Sequence, residues 1–210
     1  SLGYAVSGHE SKDELLKNAN ADYDVILSPV QVEDVKSGKF VTVEDRFVTG
    51  RIDPATLELK NWEVVKGRYQ VIPNDVILDK ALAIVSASGN EAALDSVGVL
   101  DDGRKFYATI RTTQLNLHTK SQEEADIVDN YIVVMTSHDG SIPICYYNLD
   151  VRRSTSCIYR IFPDSATSDF SIRKRHTPNV SDKLEEASQV LSMRNQWTIE
   201  MSTSISDLSV

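Results

Sequence analysis

Ser137, His138, Asp139 and Ser141 crowd one short stretch, TSHDGS, and offer the side chains of nucleophilic or metal chemistry. A nucleophile needs a base and an orienting acid that converge from separate elements, and a metal centre needs further ligands at workable spacing. Neighbours on one turn supply neither. Asp139-Gly140 between two β-rich runs has instead the chemistry of a hairpin tip. Asp101 and Asp102 sit in a second such turn, Asp-Asp-Gly, where water is their expected partner. His9, His118 and His176 are scattered, and the chain holds no G-x-x-x-x-G-K-[ST] loop, no G-x-G-x-x-G and no G-x-S-x-G elbow. No metal, nucleotide or other cofactor is expected, and the protein reads as a non-enzyme. A metal-dependent nuclease around Asp101, Asp102, His138 and Asp139 stands as a third reading, because carboxylate clusters on adjacent strands leave faint traces in sequence.

Cations interleaved with aromatics form the other candidate group. Arg104, Lys105, Tyr107 and Arg111 follow the first Asp-Gly turn, and Arg152, Arg153, Arg160, Arg173, Lys174 and Arg175 come later. Single-stranded nucleic acid asks for this combination: positive charge along the backbone and flat side chains for the bases. The competing reading places Phe106 and Tyr107 alternately in core and surface and pairs the cations with carboxylates. The charge distribution sharpens the choice. The chain of 210 residues carries a net charge of -9, yet residues 151–176 hold six Lys and Arg against two Asp, while residues 1–103 hold ten against eighteen carboxylates. Overall acidity disfavours bulk attraction to nucleic acid, but a local basic stripe still binds polyanions when folding gathers it on one surface.

The elements that must position these residues read as one α+β domain over 1–210. Ser11 and Glu14 make a capping box ahead of Leu15, Leu16 and Ala19, predicting a short helix, and the β-branched and aromatic runs up to residue 70 predict antiparallel strands. A central helix over 74–88 is predicted from the spacing of Val76, Ile77, Ala81, Leu82, Ile84 and Val85, with Asn74 as cap and Gly89 as stop. Residues 92–150 then form an antiparallel meander with two Asp-Gly hairpins. In the basic segment and C-terminal helix, 151–202, FSIRKRHT is a last strand with Arg173 and Arg175 on one face and Lys174 and His176 on the other. Ser181 caps the closing helix. The two cysteines, Cys145 and Cys157, have no disulfide or metal spacing and are expected as reduced thiols in the cytoplasm. No apolar run approaches the roughly 18 residues a membrane span requires, so no membrane partner is expected.

Taken together, LGYAVSGHES, VVKGRYQVIPN, VGVLDDGRKFYATIR, YIVVMTSHDGS and IRKRHT…KLEEASQVL resemble the phage/plasmid-like proteins, a family with a domain of unknown function. VRRSTSCIYRIF departs from that family's Arg-x-x-Cys-x-Asn-Thr-Leu run. Antiparallel strands with a helix across them are similar, more remotely, to the single-strand annealing and recombination-mediator proteins of phages and eukaryotes. That resemblance implies a single-stranded DNA binding and annealing protein of a phage or mobile element, homo-oligomeric with a ring as one form, acting in homologous recombination in a bacterial host cell. Arg152, Arg153, Arg173 and Arg175 would then meet phosphates, with Arg104, Lys105 and Tyr107 as a second group. The alternative is a regulatory or interaction protein of a mobile element.

Overall fold

A computed structural model describes residues 3–53, 56–89, 91–112, 115–117, 126–152, 171–174 and 185–196. In chain order these form β1 (Tyr4–Ala5), α1 (Lys12–Asn18), β2 (Val25–Asp34), β3 (Lys39–Ile52), β4 (Leu59–Lys66), α2 (Asn74–Ala87), β5 (Ala93–Leu100), β6 (Lys105–Arg111), β7 (Leu115–Leu117), β8 (Asp126–Ser137), β9 (Ile144–Arg152) and β10 (Ser171–Lys174). A third helix, α3, covers 185–196. The α+β architecture is as expected, but the strands divide into two antiparallel sheets. The large one runs β1-β5-β6-β8-β9-β10 with β7 also on β8, and the small one runs β2-β3-β4.

Local chemistry accounts for the ends of these elements. The Ser11 side chain accepts from the Glu14 N–H while the Glu14 carboxylate accepts from the Ser11 N–H, so the capping box of α1 is complete. Helix α2 ends at Ser88, followed by Gly89 at φ +65°. Its start differs from expectation: the cap is Pro73, without a side-chain bond, and Asn74 is already helical. Asn74 is buried and committed elsewhere. Its Nδ2 donates to the Ala21 carbonyl at 2.9 Å, which leaves Oδ1 to accept from His138 Nε2 at 2.7 Å. One amide thus ties the chain after α1 and the turn after β8 to the first turn of α2. Asn74→Ala orphans two buried groups at once, and a loss of about 2–4 kcal/mol at unchanged m-value is expected in urea denaturation.

The core lies between the helices and one face of the large sheet. Ile77, Leu78, Ala81 and Ile84 of α2 meet Phe106, Ala108 and Ile110 of β6, Ile132 and Val134 of β8 and Tyr146 of β9, with Leu15 and Leu16 of α1 and Ala187 and Val190 of α3 closing the sides. Strand alternation sends the intervening residues to the other face, where Tyr107, Val133, Met135, Cys145 and Tyr147 form a second apolar cluster.

The two hairpins are where sequence chemistry and tertiary structure meet. Asp101, Asp102 and Gly103 all have positive φ, at 52°, 56° and 88°. Asp tolerates that conformation through its short polar side chain and Gly through lacking Cβ. These turns are docking points as well as tips. Tyr23 Oη donates to the Gly103 carbonyl at 2.6 Å, the Arg51 guanidinium lies 4.6 Å over the Tyr23 ring, and Arg51 also meets Asp102 at 3.1 Å. At the other turn Trp62 stacks on buried His138, ring centroids 5.8 Å apart, and Tyr69 Oη donates to the Ser137 carbonyl. The small sheet is held to the large one through both Asp-Gly turns.

Candidate nucleic-acid interface

Register determines which predicted residues share a surface. Directly opposed residues of an antiparallel sheet lie on one face. The row Tyr107–Met135–Cys145–Arg173 therefore crosses β6, β8, β9 and β10, and a second row sets Arg111 opposite Tyr131, itself opposite Leu149. Among the described residues no helix lies on this face. It contains a groove of about 260 Å³ lined by Ser96, Tyr107, Thr109, Tyr131, Leu149 and Val151, with Gly3, Ala5 and Asp95 at its lip. Arg111 and Arg173 are both exposed. From four residues along the strands and three strand spacings they stand roughly 20 Å apart.

The other predicted cations go elsewhere. Lys105 is on the same face but pairs with Asp101 at 2.5 Å. Arg104 is half-buried in the turn, its carbonyl accepting from the His138 N–H at 2.7 Å. Lys174 lies on the opposite face, its Nζ 3.8 Å from Glu186 Oε1. The division of Arg173 and Lys174 between faces follows the expected strand alternation. Arg152 ends β9 opposite Val128. Arg153, Arg160 and Arg175 lie outside the described residues, as do His118, Cys157, His176 and Ser181.

Tyr107 needs correction as a contact residue, because it is only 5% exposed. Its ring lies across Gly98 on β5, where an added Cβ would come within 2.6 Å of Tyr107 Oη, and an added Cβ at Gly3 would come closer still to the same hydroxyl. Two glycines make room for the ring. Tyr107 therefore forms the floor of the groove, and burial raises its hydroxyl pKa. Burial likewise raises Cys145, partly offset by the Arg173 charge, so the thiol is protonated at neutral pH. Tyr131, half-buried at the groove, is the aromatic left accessible there, and the alternation of β8 would have found it.

The turn carboxylates are engaged and do not form a ligand set. Asp101 and Asp102 hold Lys105 and Arg51, and Asp139 accepts from Ser141 N–H and Oγ. Burial pushes the Asp139 carboxyl up, but the hydrogen bonds from Ser141 outweigh it and hold it below the usual range. Among the described residues no three His, Cys, Asp or Glu side chains converge where a metal ion could bind. Likewise no helix among them is long and apolar enough to cross a membrane.

One charged cluster escaped sequence reasoning. Lys80 of α2 and Glu186 of α3 are 4% and 3% exposed and form a direct hydrogen-bonded ion pair, with Lys174 beside the second carboxylate oxygen. The buried Tyr146 hydroxyl is raised by burial and by the nearby Glu186 charge. The signal was present: Lys80 sits three residues after Ile77 on the buried stripe of α2, and Glu186 precedes buried Ala187.

No curated protein matches this chain, and no solved structure does. A family model does match, over residues 61–210, which takes in α2, the whole meander, β10 and α3. By that match over some seven tenths of its length, the chain belongs to the family described as Domain of unknown function (DUF932).

Proposed function

We propose that this protein binds single-stranded DNA on the helix-free face of its large sheet and anneals complementary strands. It would act as a homo-oligomer in homologous recombination of a phage or other mobile element, in the cytoplasm of a bacterial host. The observation that carries this reading is that exposed Arg111 and Arg173 share the sheet face whose groove holds Tyr107 and Tyr131. A backbone spanning the two arginines would pass over Tyr131, where one base can stack while the phosphates stay near charge. Asp95 at the lip repels phosphate and so confines the path to the side nearer β8 and β9. Annealing breaks no covalent bond, so it asks for no nucleophile, base or metal.

Fluorescence anisotropy of a labelled oligonucleotide tests the reading. Binding at roughly 50 mM salt that weakens about tenfold or more at 200 mM is expected, because each phosphate contact releases counterions. Intact, folded protein that fails to bind at the lower salt would sink it. The alternative, a regulatory or interaction protein, draws its support from apolar surface on the small sheet.

A further inference from the structure

Asp95 and Ser96 are consecutive on β5, and plain strand alternation would send their side chains to opposite faces of the large sheet. Both line the groove on the helix-free face. Register explains why: Leu94 pairs with Ile110 and Ser96 with Thr109, so Asp95 is the extra residue of a β-bulge, a device that re-aims a side chain. The Asp95 carbonyl accepts from the Val6 N–H at 2.9 Å, while its half-buried carboxylate has no hydrogen bond or ion pair among the described residues. Beside it, Ser96 Oγ and Thr109 Oγ1 lie 2.6 Å apart. One of these hydroxyls donates to the other, so the pair keeps a single O–H hydrogen to give outward. The groove thus offers two acceptor oxygens next to one donor.

We infer that this groove takes one base of the bound strand and selects guanine by its pairing edge. The inference rests on the proposed function and deepens it by naming the base. An ionised carboxylate only accepts, and two parallel N–H groups satisfy both its oxygens at once. Guanine presents that pair, N1–H and the N2 amino group, with O6 next in line for the hydroxyl hydrogen. Adenine and cytosine set a ring-nitrogen lone pair beside their amino group, and thymine flanks its one N–H with carbonyls, so each turns a lone pair on the second carboxylate oxygen. Only guanine leaves no such clash. Size agrees, because about 260 Å³ falls below the roughly 300–1,000 Å³ of pockets that hold drug-sized ligands, so a base fits and a run of bases does not. Two strand spacings, roughly 10 Å, separate β5 from β8, a gap that a purine stacked on Tyr131 bridges with its edge toward Asp95. Neighbouring bases stay outside with their pairing edges free for annealing. Arg111 and Arg173 draw the strand in by charge, and Asp95, which repels phosphate, sorts the base.

Fluorescence anisotropy tests this with an oligothymidylate and the same strand carrying one central guanine. The wild type is expected to bind the guanine strand at least about fivefold more tightly, the low end for a bidentate base contact. Hypoxanthine in that position keeps the stacking ring but lacks the N2 amino group, and is expected to lose most of the gain, which separates hydrogen-bond readout from stacking. Asp95→Asn is expected to abolish the preference and to leave affinity for the plain strand unchanged or higher, since a negative charge is removed. Its urea denaturation should match the wild type, because the carboxylate holds no partner in the described fold. Equal wild-type affinity for the two strands would overturn the inference, as would hypoxanthine that binds like guanine, or an Asp95→Asn protein that keeps the preference. The hypoxanthine arm needs no variant. Failure to bind either strand at low salt removes the proposed function together with this inference, whereas salt-dependent binding of both strands with one affinity removes the guanine pocket alone.

Discussion

Glu186→Ala is expected to cost the folded protein about 3–5 kcal/mol, the range for removing one partner of a buried ion pair. The magnitude comes from what stays behind. Lys80 on α2 is 4% exposed and keeps an ammonium in the core once its carboxylate is gone. Truncating the other partner is milder, because in Lys80→Met the Glu186 carboxylate still has Lys174 3.8 Å away at the protein surface. Replacing both, as Lys80→Met/Glu186→Leu, recovers most of the loss, since well-packed apolar residues often match or exceed a buried pair. Urea denaturation of the four proteins at constant m-value measures the cycle. Equal losses for the two single variants would contradict the assigned role of Lys174. The pair fixes α3 against α2 and β10, and so holds in place the strand that carries Arg173.

Arg111→Ala/Arg173→Ala is expected to weaken single-stranded DNA binding by roughly 10- to 100-fold at low salt and to flatten the salt dependence by about 1.4 in log–log slope, from two lost phosphate contacts at ~0.7 each. Both residues are exposed, so stability should change little. Lys174→Ala supplies the contrast. It lies on the helical face near Glu186, and its removal should lower stability modestly while leaving the salt slope unchanged. If Lys174→Ala and Arg173→Ala affected DNA equally, the division of faces along β10 would carry no functional meaning.

What was legible in sequence is what local chemistry decides. The capping box at Ser11 and Glu14, the Gly89 stop and the two Asp-Gly turns each depend on a few adjacent residues, and each stands where expected. Long-range pairing was not legible. Nothing near Tyr4 announces that β1 will pair with Val97 and Ser96, and nothing in the β-rich runs before residue 70 says that they fold as a separate sheet. Asn74 illustrates how a local rule is overridden. A good cap residue just before a helical pattern is a sound expectation, yet a buried His138 and the Ala21 carbonyl compete for the same amide and win it.

The candidate site was legible as composition and illegible as arrangement. Basic residues between 104 and 111 and again near 173 were evident, but which of them share a face depends on strand order across β6, β8, β9 and β10. That order brings Arg111 and Arg173 to one surface, turns Lys174 away and gives Lys105 to Asp101. Tyr107 was misjudged because its burial depends on glycines at positions 3 and 98, neither of them close to it in sequence.

Photo-crosslinking of a halogenated-uracil oligonucleotide to the folded protein, with the attached peptides mapped, tests the central claim most directly. Attachment concentrated at Tyr131 and neighbouring residues of β6, β8 and β9 on the helix-free face is expected, lost at high salt and in the Arg111→Ala/Arg173→Ala protein. Attachment instead to the small sheet or to the helical side, or none under conditions where the protein is folded, would contradict it.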